Sequence, residues 1–492
     1  MTQFLKLKWV LFLVILVFAC QEKKNKKQVS KPNIVLFMAD DMTWRDCQPY
    51  GNPDVITPNI QKLAYQGVSF DNMFTSTAMC APTRQQLMTG LFPARSGAFP
   101  NHSRVYDGVK SFAHYFRDLG YRVALIGKQH YGPDASFPIE YLGGRQHDDG
   151  KNGADIHLEK IEPIVKGDKP FFLIIAQNQP HSPWNRGNSD AYKPENLVVP
   201  DYMVDVPETR QGLTKYYAEI TYMDSLLGKT LDYVKLAGKT DNTISIFTSE
   251  QGYSYPFGKW TCYDLGLKTA FIAKWPGKIK PNTRNKAIAQ YVDIVPTLLD
   301  AVGKDPKTIH TGIADTKGHT GFDGSSFLQA LLGKTEKHRD YTYGIQTTRG
   351  IYDGSETYPV RSIRSDRYRY IQNLSHDALF YNMVTVRDKT YKSWLKQADS
   401  INGELDWVKR YQKRPFEELY DLENDPFEKH NIAEDPEMGN VKKELSNKLK
   451  SWMEQQGDKG VATEMDALNR QEGHDNWVSH TQKLKEKETK KQ

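Results

Sequence analysis

The chain has 492 residues, more than one compact unit ordinarily holds, so two or three units sharing cores are expected. Charged residues make up 26% and aromatics 12%, which suits a folded enzyme and excludes a disordered scaffold. The formal net charge of +6 is carried partly by the ends, and no stretch interleaves bases with aromatics as a nucleic-acid site would, so no nucleic-acid partner is expected.

The N-terminus reads as an export element. Lys6 and Lys8 precede an apolar run from Trp9 to Ala19, too short to span a bilayer comfortably, and the run ends Leu16-Val17-Phe18-Ala19-Cys20. That ending resembles a bacterial lipobox. It makes residues 1–19 a lipoprotein signal peptide, Cys20 the lipidated first residue, and 20–31 a polar, lysine-rich tether. The protein is expected to be exported and anchored by lipid to a bacterial membrane; a plain signal peptide is the simpler alternative.

Asn33-Ile34-Val35-Leu36-Phe37-Met38-Ala39 is a continuous apolar run, the mark of a strand buried on both faces of a parallel sheet, and Asp40-Asp41 follow at once. In α/β sheets ligands bind at the C-terminal strand ends, where paired carboxylates suit a hard divalent cation. The pattern recurs three times. Arg122 to Ile126 leads into Gly127-Lys128-Gln129-His130, Phe171 to Ile175 into Gln177-Asn178-Gln179-Pro180-His181, and Thr243 to Phe247 into Thr248-Ser249-Glu250-Gln251-Gly252. Helical spacing over Pro58 to Tyr65, Ser111 to Leu119, Leu213 to Leu236 and Val292 to Val302 separates these strands, which argues an α/β fold.

Between the first two strands lies Met79-Cys80-Ala81-Pro82-Thr83-Arg84, continued by Gln85 to Gly90. Pro82 suits a first helical turn and Gln85 to Met88 extend it, so Cys80 falls at a helix N-terminus. Unpaired N–H groups and the helix dipole favour an anion there, a natural place for a nucleophile that attacks a charged ester. Composition turns polar around Gly333 to Arg339. This sets a boundary between a unit at 32–335 and a smaller α+β unit at 336–478, where Val360 to Arg364 and Tyr368 to Ile371 alternate as antiparallel strands and Val441 to Met453 suits a packing helix. Residues 479–492 are expected to fray as a charged tail. Of the four Cys, Cys47 and Cys262 have no assigned chemistry, and no essential disulfide is expected.

Cys80-x-Pro-x-Arg84 followed by Leu87-x-Thr89-Gly90 resembles the signature of the formylglycine-dependent type I sulfatases, members of the alkaline-phosphatase-like superfamily; the family usually has Ser or Ala where Thr83 stands. Phe416 to Pro426 also resembles the family's C-terminal Glu-Leu-Tyr-Asp-Leu motif. The resemblance implies a large, mixed, mostly parallel sheet flanked by helices. It further implies oxidation of Cys80 to an aldehyde (3-oxoalanine) by a formylglycine-generating enzyme, and calcium bound by Asp40, Asp41, the modified Cys80, Glu250 and Gln251. Glu250-Gln251 stand where Asp followed by Asn or His is usual, each one methylene longer with the same kind of oxygen donor.

By the same resemblance Arg84 orients the hydrated aldehyde, Lys128 holds sulfate and formylglycine, and His130 helps the covalent intermediate collapse. His181 protonates the leaving alcohol and Lys259 is a second sulfate-binding Lys; the family's later Arg reads Lys268 here. The expected function is an exported carbohydrate sulfatase acting on a sulfated polysaccharide or its oligosaccharides, with algal ulvan the leading substrate and a heparan-type glycosaminoglycan the alternative. Basic and aromatic groups suited to sulfated sugars make His102, Arg104, His147, Trp184 and Arg349 candidate substrate contacts. Phosphomonoester hydrolases of the same fold use Thr or Ser with two zincs, and this chain lacks the extra His and Asp ligands. A binding lipoprotein without catalysis is the reading from another class.

Overall fold

The computed structural model describes residues 31–144, 156–401, 403–471 and 476–490. The export signal, Cys20 and His147 lie outside the described residues, and among those described no helix is long and apolar enough to cross a membrane.

Eight strands form one sheet: β1 (Asn33–Ala39), β2 (Val68–Phe74), β3 (Arg122–Gly127), β4 (Glu140–Tyr141), β5 (Phe171–Ala176), β6 (Thr243–Ser249), β7 (Lys268–Lys274) and β8 (Thr283–Gln290). Their order is β4-β3-β5-β1-β6-β7-β2-β8. The four apolar runs of the sequence occupy the centre as β3, β5, β1 and β6, all parallel. β7 runs against its neighbours β6 and β2, and β2 is parallel to β8, so the sheet is mixed and mostly parallel as expected.

Both faces of β1 are covered, which is why its sequence does not alternate. Val35, Phe37 and Ala39 share a core with Tyr216, Ile220 and Leu227 of the helix Pro207–Leu236. Ile34, Leu36 and Met38 share another with Phe112 and Phe116 of the helix Phe112–Asp118 and with Val295 and Leu298 of the helix Ile294–Ala301. Each such fully buried side chain contributes about 1.5–3 kcal/mol. The helix expected from Leu213 begins instead at Pro207, because Pro is well tolerated in a first helical turn.

Besides the two-residue β4, three strands of this sheet escaped the periodicity reading. β2 carries Asp71-Asn72 at a bulge in its pairing with β7 and β8, and β8 is an edge strand with polar Arg284 and Lys286. β7 has Lys at both ends.

A second, antiparallel sheet holds β9 (Thr342–Gln346), β10 (Val360–Arg364), β11 (Tyr368–Asn373) and β12 (Glu417–Asp421), in the order β12-β11-β10-β9. Leu445, Leu449 and Trp452 of the helix Gly439–Gln456 pack on Ile345, Ile363, Tyr370 and Leu419 of that sheet. The Glu-Leu-Tyr-Asp motif is β12. Its buried Glu418 accepts hydrogen bonds from Tyr263 at 2.7 Å and Asn373 at 2.7 Å, and from Tyr420, so it clamps the two sheets. The tail expected to fray is instead a helix, His480–Thr489. Ser479 and Gln482 exchange side-chain-to-backbone hydrogen bonds at its start, and this capping box offsets the absence of an apolar stripe.

An ion network locks the small sheet to the rim of the large one. Arg369 meets Asp264 and, at 2.8 Å, Glu428, while Arg364 lies 3.3 Å from Asp264. Burial alone would raise the Asp264 carboxyl, but Arg364 and Arg369 outweigh it and hold it well below the usual carboxylate range. A depressed folded-state value stabilises above the unfolded value of about 3.9 and is lost as pH falls below it. Asp264→Ala is therefore expected to cost about 3–5 kcal/mol near neutral pH, because Arg364 loses its counter-charge and Arg369 is left with Glu428 alone. It should also flatten the decline of the thermal midpoint below about pH 4. An unchanged melting temperature in Asp264→Ala would refute this.

Candidate active site

Strand direction brings the polar groups together. Ala39 and Ser249 are level in the β1–β6 register, and the Glu250 N–H donates to Ala39 O at 2.9 Å. The Asp40 N–H donates to Gln179 O at 3.0 Å and the Lys128 N–H to Ala176 O at 2.8 Å. Gly127, with φ +103°, ends β3 where a Cβ would run into the Ala176 carbonyl, so only glycine lets Lys128 turn over the rim. β2, which runs the same way, delivers Cys80 at the start of the helix Cys80–Thr89.

Asp40, Asp41, Glu250, Arg84 and Lys259, all buried, and the partly exposed Lys128 form one cluster of three carboxyl groups and three cations. Arg84 lies 2.5 Å from Glu250 and 3.4 Å from Asp40, and its Nη1 donates to Lys128 O at 2.9 Å. Lys128 holds Asp40, and Lys259 donates to Asp41 at 2.7 Å. Gln251 Nε2 donates to Asp41 Oδ1 at 2.7 Å and to Glu250 Oε1 at 2.9 Å. Cys80 Sγ lies 3.7 Å from Asp40 Oδ1, 3.9 Å from Asp41 Oδ1 and 3.5 Å from Gln251 Nε2. His181 Nε2 is 3.5 Å from Asp41 Oδ2, and its Nδ1 is 2.6 Å from Ser182 O. His130 bonds His102 at 2.9 Å.

The electrostatics follow from burial and charge together. Burial would raise the Asp40 carboxyl, but Lys128 foremost, then Glu250, His181 and Arg84, hold it well below its ordinary value. Glu250 is pushed up to about 8 by burial, against the pull of Arg84. Burial would lower the Lys128 ammonium, but Asp40, Cys80 and Glu250 together outweigh it and take it to about 12. His181 is brought down to about 4 by burial and Lys259, with Asp41 opposing. Burial, with Glu250 beside it, pushes the Cys80 thiol up, so the unmodified side chain is a thiol at neutral pH and a poor nucleophile. Asp41, His102 and His130 all have positive φ, at 59°, 56° and 49°. Such strain costs about 1–2 kcal/mol per residue and persists where the surroundings over-determine it, as at functional sites.

The residues present fit a hard cation. Asp40, Asp41, Cys80 and His181 each place a ligand atom within 4.8 Å of the others, and the Oε1 of buried Gln251 has no hydrogen-bond partner. Carboxylate and amide oxygens are the donors such an ion prefers.

Other predicted residues fall in different places. His102, Arg104, Lys128 and His130 line an open cleft of about 680 Å³ that continues from the cluster. Trp184 is half-buried, donates to Pro180 O at 2.8 Å, stacks on Tyr255 with centroids 5.3 Å apart and packs against the core, outside the residues that line that cleft. Arg349 instead bonds Glu356 O at 3.2 Å and lies over Trp477, within the C-terminal loops. Lys268 bonds Asn72 at 3.3 Å and sits over Trp44 and Phe74 rather than on a carboxylate of the cluster. Thr83 points inward, donating to Thr77 O at 2.6 Å and stapling the Cys80 helix to the loop before it. Cys47 and Cys262 are separate buried thiols beside Trp44 and Val360.

Two participants had no signal in the sequence. Ser254 donates to Asp41 Oδ2 at 2.7 Å, and Asn101 accepts from the Ala81 N–H at 3.4 Å while bonding His102 at 3.3 Å. Each is a common polar loop residue outside every motif, and only tertiary contact singles it out.

A helix-borne reactive position, faced by lysines, carboxylates and an imidazole at the rim of a mostly parallel sheet, defines a hydrolase of anionic esters. Residues 32–304 match the family model described as Sulfatase. The chain is 34% identical to an ulvan-active sulfatase of Formosa agariphila, over 89% of this chain and 82% of that protein. It is 27% identical to the human N-sulphoglucosamine sulphohydrolase, over 85% and 89%. The chain belongs to the sulfatase family, and it is a sulfuric ester hydrolase. Solved structures share the fold. One is a protein in complex with its substrate D-glucosamine-2-N,6-O-disulfate (20% identity, 87% of this chain and 99% of that one, TM-score 0.65); another is the phosphonate monoester hydrolase of Agrobacterium radiobacter (19%, 86% and 96%, TM-score 0.65).

Proposed function

We propose that this protein is an exported, lipid-anchored carbohydrate sulfatase that removes sulfate from a sulfated polysaccharide or its oligosaccharides, with ulvan the leading substrate, through a formylglycine made from Cys80. The observation that carries it is the seat of Cys80 at a helix N-terminus, flanked by Asp40, Asp41 and Gln251, with both lysines held on the two aspartates. The 34% identity to an ulvan-active sulfatase supports ulvan over a glycosaminoglycan.

Asp40, Asp41, Gln251, Glu250 and the modified residue 80 would hold Ca²⁺, which supplies positive charge to a sulfate oxygen. The chain's own groups do the rest. Lys128 and Lys259 bind the ester's oxygens, and Arg84 orients the hydrated aldehyde. One hydroxyl of that diol gives its proton to a carboxylate of the cluster and attacks sulfur, and the bond from sulfur to the sugar oxygen breaks as His181, charged once the anionic ester offsets Lys259 beside it, protonates the leaving alcohol. The second hydroxyl then gives its proton to His130, the carbon–oxygen bond to sulfate breaks, the aldehyde is restored, and water adds to it to re-form the diol.

The test is the mature chain co-expressed with a formylglycine-generating enzyme and assayed for sulfate release on ulvan, carrageenan, fucoidan and glycosaminoglycans. Release from ulvan is expected; an unmodified Cys80 by mass spectrometry together with no release from any polymer would overturn the reading. Trp184, three residues beyond His181, is assigned as a sugar contact, and Trp184→Ala tests it. The substitution should raise KM about two- to tenfold with kcat little changed, and an unaltered KM would remove Trp184 from the substrate contacts.

A further inference from the structure

A second cleft, of about 570 Å³, opens past the far end of the Cys80 helix and takes no part in the chemistry above. Phe92, just beyond that helix, lines it, so it lies about 15 Å from Cys80 along the helix axis. Two of its wall residues carry unmade hydrogen bonds. Trp452 and Gln456 are each 5% exposed; the indole Nε1 has no acceptor, and Gln456 spends its Nε2 on Asp323 at 3.3 Å while its Oε1 has no donor. A buried group left in that state costs about 1–3 kcal/mol. Neither atom is open to solvent, so each meets a sugar hydroxyl only when its side chain shifts toward the cleft.

Charge points the same way. Asp323 is taken up by Arg95 at 2.8 Å and Arg339 by Asp293 at 2.5 Å. The cleft's exposed Lys317 and Lys448 pair with no carboxylate among the described residues, and Lys448 lies 4.8 Å from the Tyr341 ring. Tyr343 and Trp452 stack on each other at 4.9 Å and 1°, and Phe92 meets Trp452 edge-on at 5.2 Å.

We propose that this cleft is a second binding site for an anionic saccharide residue, holding a remote part of the polymer whose esters are presented to Cys80. The proposal rests on the glycan-sulfatase reading for its ligand but on separate residues for its site.

The Cys80→Ala protein, which binds without turnover, is titrated with ulvan, and the added Lys317→Ala/Lys448→Ala pair is expected to weaken binding about tenfold. Gln456→Ala should weaken it by a smaller factor. With Cys80 intact, the lysine pair should slow sulfate release from low concentrations of ulvan and leave release from a sulfated disaccharide unchanged. Equal ulvan affinity and turnover in the lysine variant would overturn the proposal. Complete competition of the lysine-dependent binding by millimolar inorganic sulfate would overturn the saccharide assignment in favour of a plain anion site. Lysine-dependent binding in a parent protein that releases no sulfate from any of these glycans would sink the glycan-sulfatase reading and support the cleft.

Discussion

Cys80→Ala is expected to abolish sulfate release, a loss of about ten-thousandfold or more, while leaving the fold intact. The loss is large because the attacking atoms come from this side chain alone. The fold survives because Sγ makes no contact shorter than 3.5 Å to its polar neighbours, and Ala is a good helix former. Cys80→Ser sharpens the test. A serine hydroxyl could accept the sulfuryl group once, but it has no second hydroxyl to drive the C–O bond apart, so at most one equivalent of sulfate ester is cleaved per protein. Multiple turnovers in Cys80→Ser, counted against active-site concentration, would rule out the aldehyde mechanism.

Asp41→Asn should produce the second largest effect. Asp41 Oδ2 receives Lys259 at 2.7 Å and Ser254 at 2.7 Å, and its Oδ1 receives Gln251. Neutralising it leaves the 3% exposed Lys259 ammonium without its counter-charge, at a cost of about 3–5 kcal/mol in stability. It also removes a charged oxygen from the proposed Ca²⁺ site, lowering sulfate release on the order of a thousandfold. Thermal unfolding separates the two effects. Calcium at a hundred times its dissociation constant should stabilise the parent by about 2.7 kcal/mol and Asp41→Asn far less. Equal calcium shifts in both proteins would exclude Asp41 as a ligand.

Sequence by itself determined the centre of the fold and much of the site. Four apolar runs without alternation could only be strands covered on both faces, and each ended in the polar residues now found on one rim, from Asp40 to Glu250. Cys80-x-Pro-x-Arg marked both a helix start and a family, because a helix N-terminus needs particular residues at particular steps. Strands β2 and β8 were not legible, since a bulge or an edge position removes the need for an unbroken apolar run, and β7 was missed because a lysine bounds its short apolar run at each end. Nor were Ser254 and Asn101, whose side chains acquire a role only when chain segments far apart in sequence meet.

Tertiary structure alone decided how the charges pair. Arg84, Lys128 and Lys259 are spread over distant segments, yet burial in one low-dielectric cluster makes each indispensable to a carboxylate it could not reach in the extended chain. It also decided that Arg349 serves the C-terminal loops, and that the Glu-Leu-Tyr-Asp motif is a structural clamp. The physical reason is common to all of these. Local pattern fixes which face of a strand or helix is apolar, whereas the partner of a buried charge is set by where two surfaces close over it.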